Sequence, residues 1–406
     1  MMRYPVFTAA VTAAVMALGL AAGEARAGDM PGVTATEIKI GGTMPYSGPA
    51  SAYGADGRAE LAYFKMINDQ GGINGRKVTL MSVDDGYSPP KTVEQTRMLV
   101  EQEGVAFMFN GLGTPTQTSV QKYLNMKKVP QLFVASGADK WGDYKHFPWT
   151  IGYQPSYRVE AQIYAKYVLK TKPDAKVAII YQNDDFGKDY LNGVKDIFGD
   201  KYAKMVTKDI SYEVTDPTTD QQVVTLQASG ADTLMIFATP KFAAQIVRKV
   251  YDINWHPTEF LTNVSISVGA VLKPAGVEKA VGIITGGYLM DSTDPAWADN
   301  QGMKDWLAFM DKYMPGADKT DGNYTYGYAV AMTLAHVLKE CGNDLSRENI
   351  MKQATNIHAL EIPVLIPGIT VNTSPTNFHP LRQLQLARWN GKTWERFGDI
   401  IEGNGS

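Results

Sequence analysis

One cysteine, Cys341, stands in 406 residues. It excludes an internal disulfide and leaves no thiol near the N-terminus for lipid attachment. Histidine is scarce as well. His146, His256, His336, His358 and His379 share no ligand spacing, so no metal site is expected. The 39 basic residues do not outnumber the 42 acidic ones, which removes the electrostatic footprint of a nucleic-acid binder. After the first 27 residues no apolar run is long enough to span a bilayer.

The short motifs of catalysis and cofactor binding are missing too. Gly111-Leu112-Gly113 follows a strand pattern, but Thr116 replaces the third glycine of a dinucleotide fingerprint, so no nicotinamide cofactor is implied. The stretch 71–77 carries Arg76 where a phosphate loop has lysine, and it leads into a strand pattern. There is no G-x-S-x-G elbow, and Cys341 sits beside Gly342 at a helix end, where a thiolate is poorly stabilised. Asp84-Asp85 and Asp184-Asp185 are read as caps of turns and helices. A long chain without a catalytic set reads as a binder, with no cofactor and no metal.

What is present begins with an export leader. Arg3, an apolar stretch at 6–22 and the A-x-A site Ala25-Arg26-Ala27 predict a cleaved signal peptide over 1–27 and a mature periplasmic chain from Gly28. From residue 36, short β-rich runs alternate with amphipathic stretches, the pattern of βαβ units and a mostly parallel sheet. Strands are expected at 38–43, 78–83, 105–110 and 131–135, then at 177–181, 205–212, 233–238 and 259–264. Helices are expected between them, for example over 51–69, 157–169, 188–198 and 242–251. The fold class is therefore α/β, with two doubly wound α/β lobes in succession. Beyond them lie a β-rich run at 283–289, helical patterns at 296–313, 324–341 and 347–357, and a last strand at 383–389.

In open parallel sheets a ligand sits beyond the carboxyl ends of the strands, where loops enter helix N-termini. That rule selects Tyr53, Gly113, Thr114 and Ser136-Gly137-Ala138-Asp139 in the first half, and Asp185-Phe186, Thr239-Pro240 and Asn263-Val264 in the second. Thr114 and 136–138 offer hydroxyls and backbone N–H groups to an anion, while Tyr53, Phe186, Tyr288 and Tyr324 offer apolar walls.

Ile38-Lys39-Ile40-Gly41, Tyr46-Ser47-Gly48-Pro49, Tyr53-Gly54, Ile67-Asn68 and Gly71-Gly72-Ile73-Asn74-Gly75-Arg76 together resemble the opening of the leucine/isoleucine/valine-type solute-binding proteins of ABC importers. Asp185-Phe186-Gly187 and Gly342-Asn343-Asp344-Leu345 extend the likeness over nearly the whole mature chain. The resemblance implies a type I periplasmic-binding fold with three interlobe crossings near 151–155, 284–291 and 361–368. It divides the chain into an N-terminal lobe, 36–152 plus 286–362, and a C-terminal lobe, 156–284 plus 364–402. It also implies a monomer that captures a small organic acid or amino acid by hinge closure and hands it to a membrane permease. By the family pattern Gly113 or Thr114 and the segment 137–139 hold a ligand carboxylate, with Tyr53 and Phe186 as aromatic walls. The acid and tyrosine that hold an amino group in relatives are matched here by Val264 and Pro240. That replacement favours a small carboxylate with an apolar or aromatic body over an α-amino acid, since a buried ammonium without an acidic partner is costly. Two alternatives stay open: a subunit that senses ligand for a membrane receptor, and a secreted α/β enzyme.

Overall fold

The computed structural model describes Met1, Met2 and residues 30–403; the leader expected at 1–27 otherwise lies outside the described residues. The first sheet holds β1 (Glu37–Met44), β2 (Lys77–Asp84), β3 (Met108–Phe109), β4 (Gln131–Val134) and β5 (Thr150–Gly152), in the order β2-β1-β3-β4-β5. Its pairings are all parallel. The links are α1 (Gly54–Asp69), α2 (Pro89–Arg97) and α3 (Thr114–Met126). The expected strand at 105–110 shortens to β3 because Asn110 turns to φ 46° and leaves the extended region. Thr150–Gly152, expected as a crossing, is paired as the edge strand.

The chain then enters the second unit through α4 (Tyr157–Thr171), β6 (Val177–Gln182), α5 (Asp185–Phe198), the short turn α6 (Tyr202–Met205) and β7 (Val206–Tyr212). It continues through α7 (Asp220–Ala228), β8 (Thr233–Phe237), α8 (Pro240–Asp252), β9 (Thr258–Leu261), a turn α9 (Lys273–Ala275) and β10 (Ile284–Gly287). Next α10 (Gln301–Tyr313), α11 (Gly322–Glu340) and α12 (Arg347–Ala354) return to the first unit, where α11 packs on α1. The antiparallel pair β11 (Gln383–Trp389) and β12 (Trp394–Glu402) completes a seven-stranded sheet, β12-β11-β10-β9-β8-β6-β7. Every residue of β8 is buried, the continuous apolar pattern of a strand covered on both faces.

Local chemistry explains the boundaries. Ser156 accepts a hydrogen bond from the Val159 N–H and caps α4, and the Asp184 carboxylate accepts from the Phe186 and Gly187 N–H groups. The cap moves the start of α5 to Asp185, three residues before the expected one. Gly72 closes α1 with φ 78°, and a Cβ there would meet the Arg76 carbonyl oxygen at 2.1 Å. Strand β9 stops at Leu261, and Asn263–Ser265 form a 3-10 turn, so Asn263 and Val264 sit on a turn and not in the expected strand. The passages between the sheets are short. One follows β5 through Tyr153 to Pro155; the other two run side by side, with Ile366 N–H donating to Tyr288 O and Met290 N–H to Val364 O, each at 2.9 Å.

Candidate functional site

A cleft opens between the carboxyl ends of the two sheets. One chamber of it is lined from the first sheet's side by Tyr53, Tyr87, Gly113 and Thr114, from the second by Phe186, Thr239 and Val264, and from the first passage by Gln154 and Tyr157.

Gly113 takes φ 104°, and a Cβ there would lie 2.5 Å from the Tyr87 ring, so glycine alone lets the chain turn into α3 against that ring. Thr114 begins α3, and its Oγ1 lies 2.7 Å from Ser136 Oγ. Among the described residues, the N–H groups of Thr114 and Thr116 meet no acceptor, whereas the Gly137 N–H is engaged by the Tyr157 hydroxyl. A helix N-terminus with open N–H groups and a hydroxyl favours negative charge. Ser136 and Ala138 do not add N–H groups as expected: Ser136 N–H donates to Val134 O at 2.8 Å, and Ala138 N–H to Ser136 Oγ at 3.2 Å. Ser136 acts through its hydroxyl, one step behind Thr114.

The walls are aromatic. Tyr157 meets Phe186 edge-on at 5.0 Å and stacks on Tyr190 at 5.0 Å, which stacks on Phe237 at 4.3 Å. Burial raises the Tyr53, Tyr87 and Tyr157 phenols above the ordinary range, so they stay neutral and available for hydrogen bonding.

Not every expected residue reaches the cleft. Pro240 starts α8 behind Thr239, and Gly137 and Ala138 lie beneath the surface. Tyr324 also stays outside the lining, which takes Asn323 and Tyr326 from the same helix. Asp139 accepts from the Ser156 hydroxyl, and its N–H donates to Asp189 Oδ2 at 2.9 Å. Asp185 pairs with Lys140 at 2.9 Å on the rim. Neither Asp139 nor Asp185 supplies an acid to the interior.

Cleft residues that escaped sequence reasoning include Tyr87, Gln154, Tyr157, Asp56, Asn323 and Tyr326. Glu160 stands behind them, fully buried, accepting from Tyr190 OH at 2.7 Å, Asn263 N–H at 2.8 Å, Tyr164 OH and Asn263 Nδ2. It fixes the turn that presents Val264. Burial pushes its carboxyl up to about 7, against those four hydrogen bonds.

Tyr53, Gln154 and Val264 also border a second chamber of about 670 Å³, including its open mouth, whose wall includes Tyr288, Asn323, Tyr326 and Asp56. Tyr288 reaches the cleft here, and Asn263 joins Val264. Around both chambers the two units touch. Besides the Lys140–Asp185 pair, Ser267 OH donates to Asp321 Oδ1 at 2.8 Å, and Lys273 pairs with Asp318 at 2.9 Å. Among the described residues no group of three or more His, Cys, Asp or Glu side chains is placed to hold a metal ion, and no helix is long and apolar enough to cross a membrane.

Known proteins share this architecture. The chain is 27% identical over 228 residues to Leu/Ile/Val-binding protein homolog 3 of Brucella melitensis, covering 53% of this chain and 58% of that protein. It is 23% identical over 356 residues to Leu/Ile/Val-binding protein homolog 1 of Brucella abortus, covering 86% and 87% of the two. A branched chain amino acid ABC transporter protein from Thermus thermophilus, solved with bound valine, superposes with a TM-score of 0.81 at 14% identity, over 91% of this chain and 97% of that one. The family model described as periplasmic binding protein matches residues 37–393, and with its two α/β lobes facing across a common cleft the chain belongs to that family.

Proposed function

We propose that this periplasmic binding protein captures a small carboxylate, an aromatic or aliphatic organic acid or a hydrophobic amino acid, and delivers it to the permease of an ABC importer. The observation that carries the reading is the seat at Thr114, where a hydroxyl backed by Ser136 and open N–H groups at the start of a 13-residue helix face an aromatic chamber. Lobes of 36–152 plus 286–362 and 156–284 plus 364–402, joined by three short passages, rotate as rigid bodies and close over the solute. The protein acts as a monomer and releases its solute chemically unchanged, in keeping with a substrate-binding family.

Calorimetric titration with benzoate, 4-hydroxycinnamate, hexanoate, leucine and phenylalanine, paired with small-angle scattering, tests this. At least one probe is expected to bind at micromolar concentration and to reduce the radius of gyration. Failure of all five, or saturation without compaction, overturns the reading.

A further inference from the structure

Asp56 and Glu60 lie one turn apart on α1 and share a face of it. They are 2% and 1% exposed, and Asp56 Oδ1 and Glu60 Oε1 are buried with no hydrogen-bond partner among the described residues. Asp56 belongs to the wall of the second chamber, whereas Thr114 belongs to the first. Between them stand Tyr53 and Gln154, which border both.

The groups around Asp56 do not balance its charge. Glu60 and Arg58 come from α1 itself, and Arg58 is exposed. Asp321 approaches from the turn before α11, already engaged by the Ser267 hydroxyl and the Asn323 N–H. Tyr53, Tyr288 and Tyr326 contribute phenols that feel the Asp56 charge. A carboxyl left buried without a partner weakens the fold, and among the described residues none donates a hydrogen bond to Asp56 and its one nearby cation, Arg58, is exposed and forms no ion pair with it.

We infer that Asp56 forms a cation subsite in the second chamber, so that the solute carries an ammonium group remote from its carboxylate. The inference rests on the carboxylate-binding reading above and adds the chemistry of the solute's other end. An ammonium brings three donors to an orphan acceptor, and the Tyr288 and Tyr326 rings give it aromatic neighbours. An α-amino acid carries both charges on one carbon and cannot place them in separate chambers. Burial, and then Glu60, push the free Asp56 carboxyl well above its ordinary value, which favours its protonated form. On binding, its O–H bond breaks, the proton passes to buffer, and a carboxylate–ammonium pair forms.

The test is calorimetry at pH 7 with 4-(aminomethyl)benzoate and 4-methylbenzoate, in phosphate and in Tris. The amine is expected to bind at least tenfold tighter to the native protein, with proton release that the two buffers reveal. Asp56→Asn should abolish that preference and still bind 4-methylbenzoate. If the variant fails to fold, proton release by the native protein decides. Equal affinities, tighter 4-methylbenzoate, absent proton release, or a preference surviving in Asp56→Asn overturns the inference alone. No binding of either probe overturns it together with the carboxylate reading.

Discussion

The Tyr53 hydroxyl donates a hydrogen bond to the carbonyl of Val264, 3.0 Å away, and so ties the loop before α1 to the cleft-facing turn of the opposite lobe. Few direct bonds cross the cleft interior, and this one sits where both chambers meet. Tyr53→Phe keeps the ring wall and removes the bond. One such bond is worth about 1 kcal/mol. The variant should bind the tightest probe about fivefold more weakly, mainly through faster dissociation. Unchanged affinity would show that the contact does not help hold the lobes together.

The seat at Thr114 predicts a sharper effect. Thr114→Val keeps the shape and loses the hydroxyl, and a hydrogen bond to a charged group contributes roughly 1.5–3 kcal/mol. Carboxylate affinity should fall by about 10-fold to 100-fold, while Thr114→Ser stays within about threefold of the native protein. A loss in Thr114→Ser with none in Thr114→Val would mean that the methyl group matters and the hydroxyl does not.

The rim pair Lys140–Asp185 spans the lobes at 2.9 Å, but its side chains are 30% and 55% exposed. Solvent-exposed pairs of this kind contribute only about 0–1 kcal/mol. Lys140→Ala should weaken probe binding by less than about fivefold at low salt, and the deficit should vanish in 1 M NaCl, where screening acts within ~3 Å. A deficit that persists in high salt would assign Lys140 a packing role.

Much of the molecule could be read in the chain because parallel strands are written as apolar runs and their helices open on visible caps. The two sheets, their order of appearance and the α11 helix all follow from such patterns. Strand β12 did not, since only Trp394 of its nine residues is buried and its partner β11 supplies the register. The start of α3 at Thr114 was legible, because Gly113-Thr114-Pro115 after a strand is a local signature. Asp56 was not. It lies inside a helix, where periodicity marks a charged residue as solvent-facing, and only the packing of α11 on α1 makes its position interior. Glu160 was hidden for the same reason.

Glu160 yields the last prediction. Its carboxyl is fully buried and raised to about 7, whereas an unfolded chain holds glutamate near ~4.3. Below both values the carboxyl is protonated in either state and contributes no difference. Between them the folded protein retains a proton that the unfolded chain releases, so stability falls as pH rises. Above about 7 both states are ionised and the loss is complete, on the order of 3 kcal/mol for a shift of this size. Asp189, raised to about 7, and Glu259, raised to about 8, bend the curve in the same direction, so the native protein alone cannot isolate Glu160. Glu160→Gln can. Glutamine keeps an acceptor for Asn263 N–H and does not titrate. The native protein's advantage over the variant, measured by thermal melting at intervals from pH 4 to 8.5, should shrink steadily up to about pH 7 and then level off. A difference that stays constant across that range would mean that Glu160 does not change protonation on unfolding, and that its role in holding Asn263 and Val264 is independent of pH.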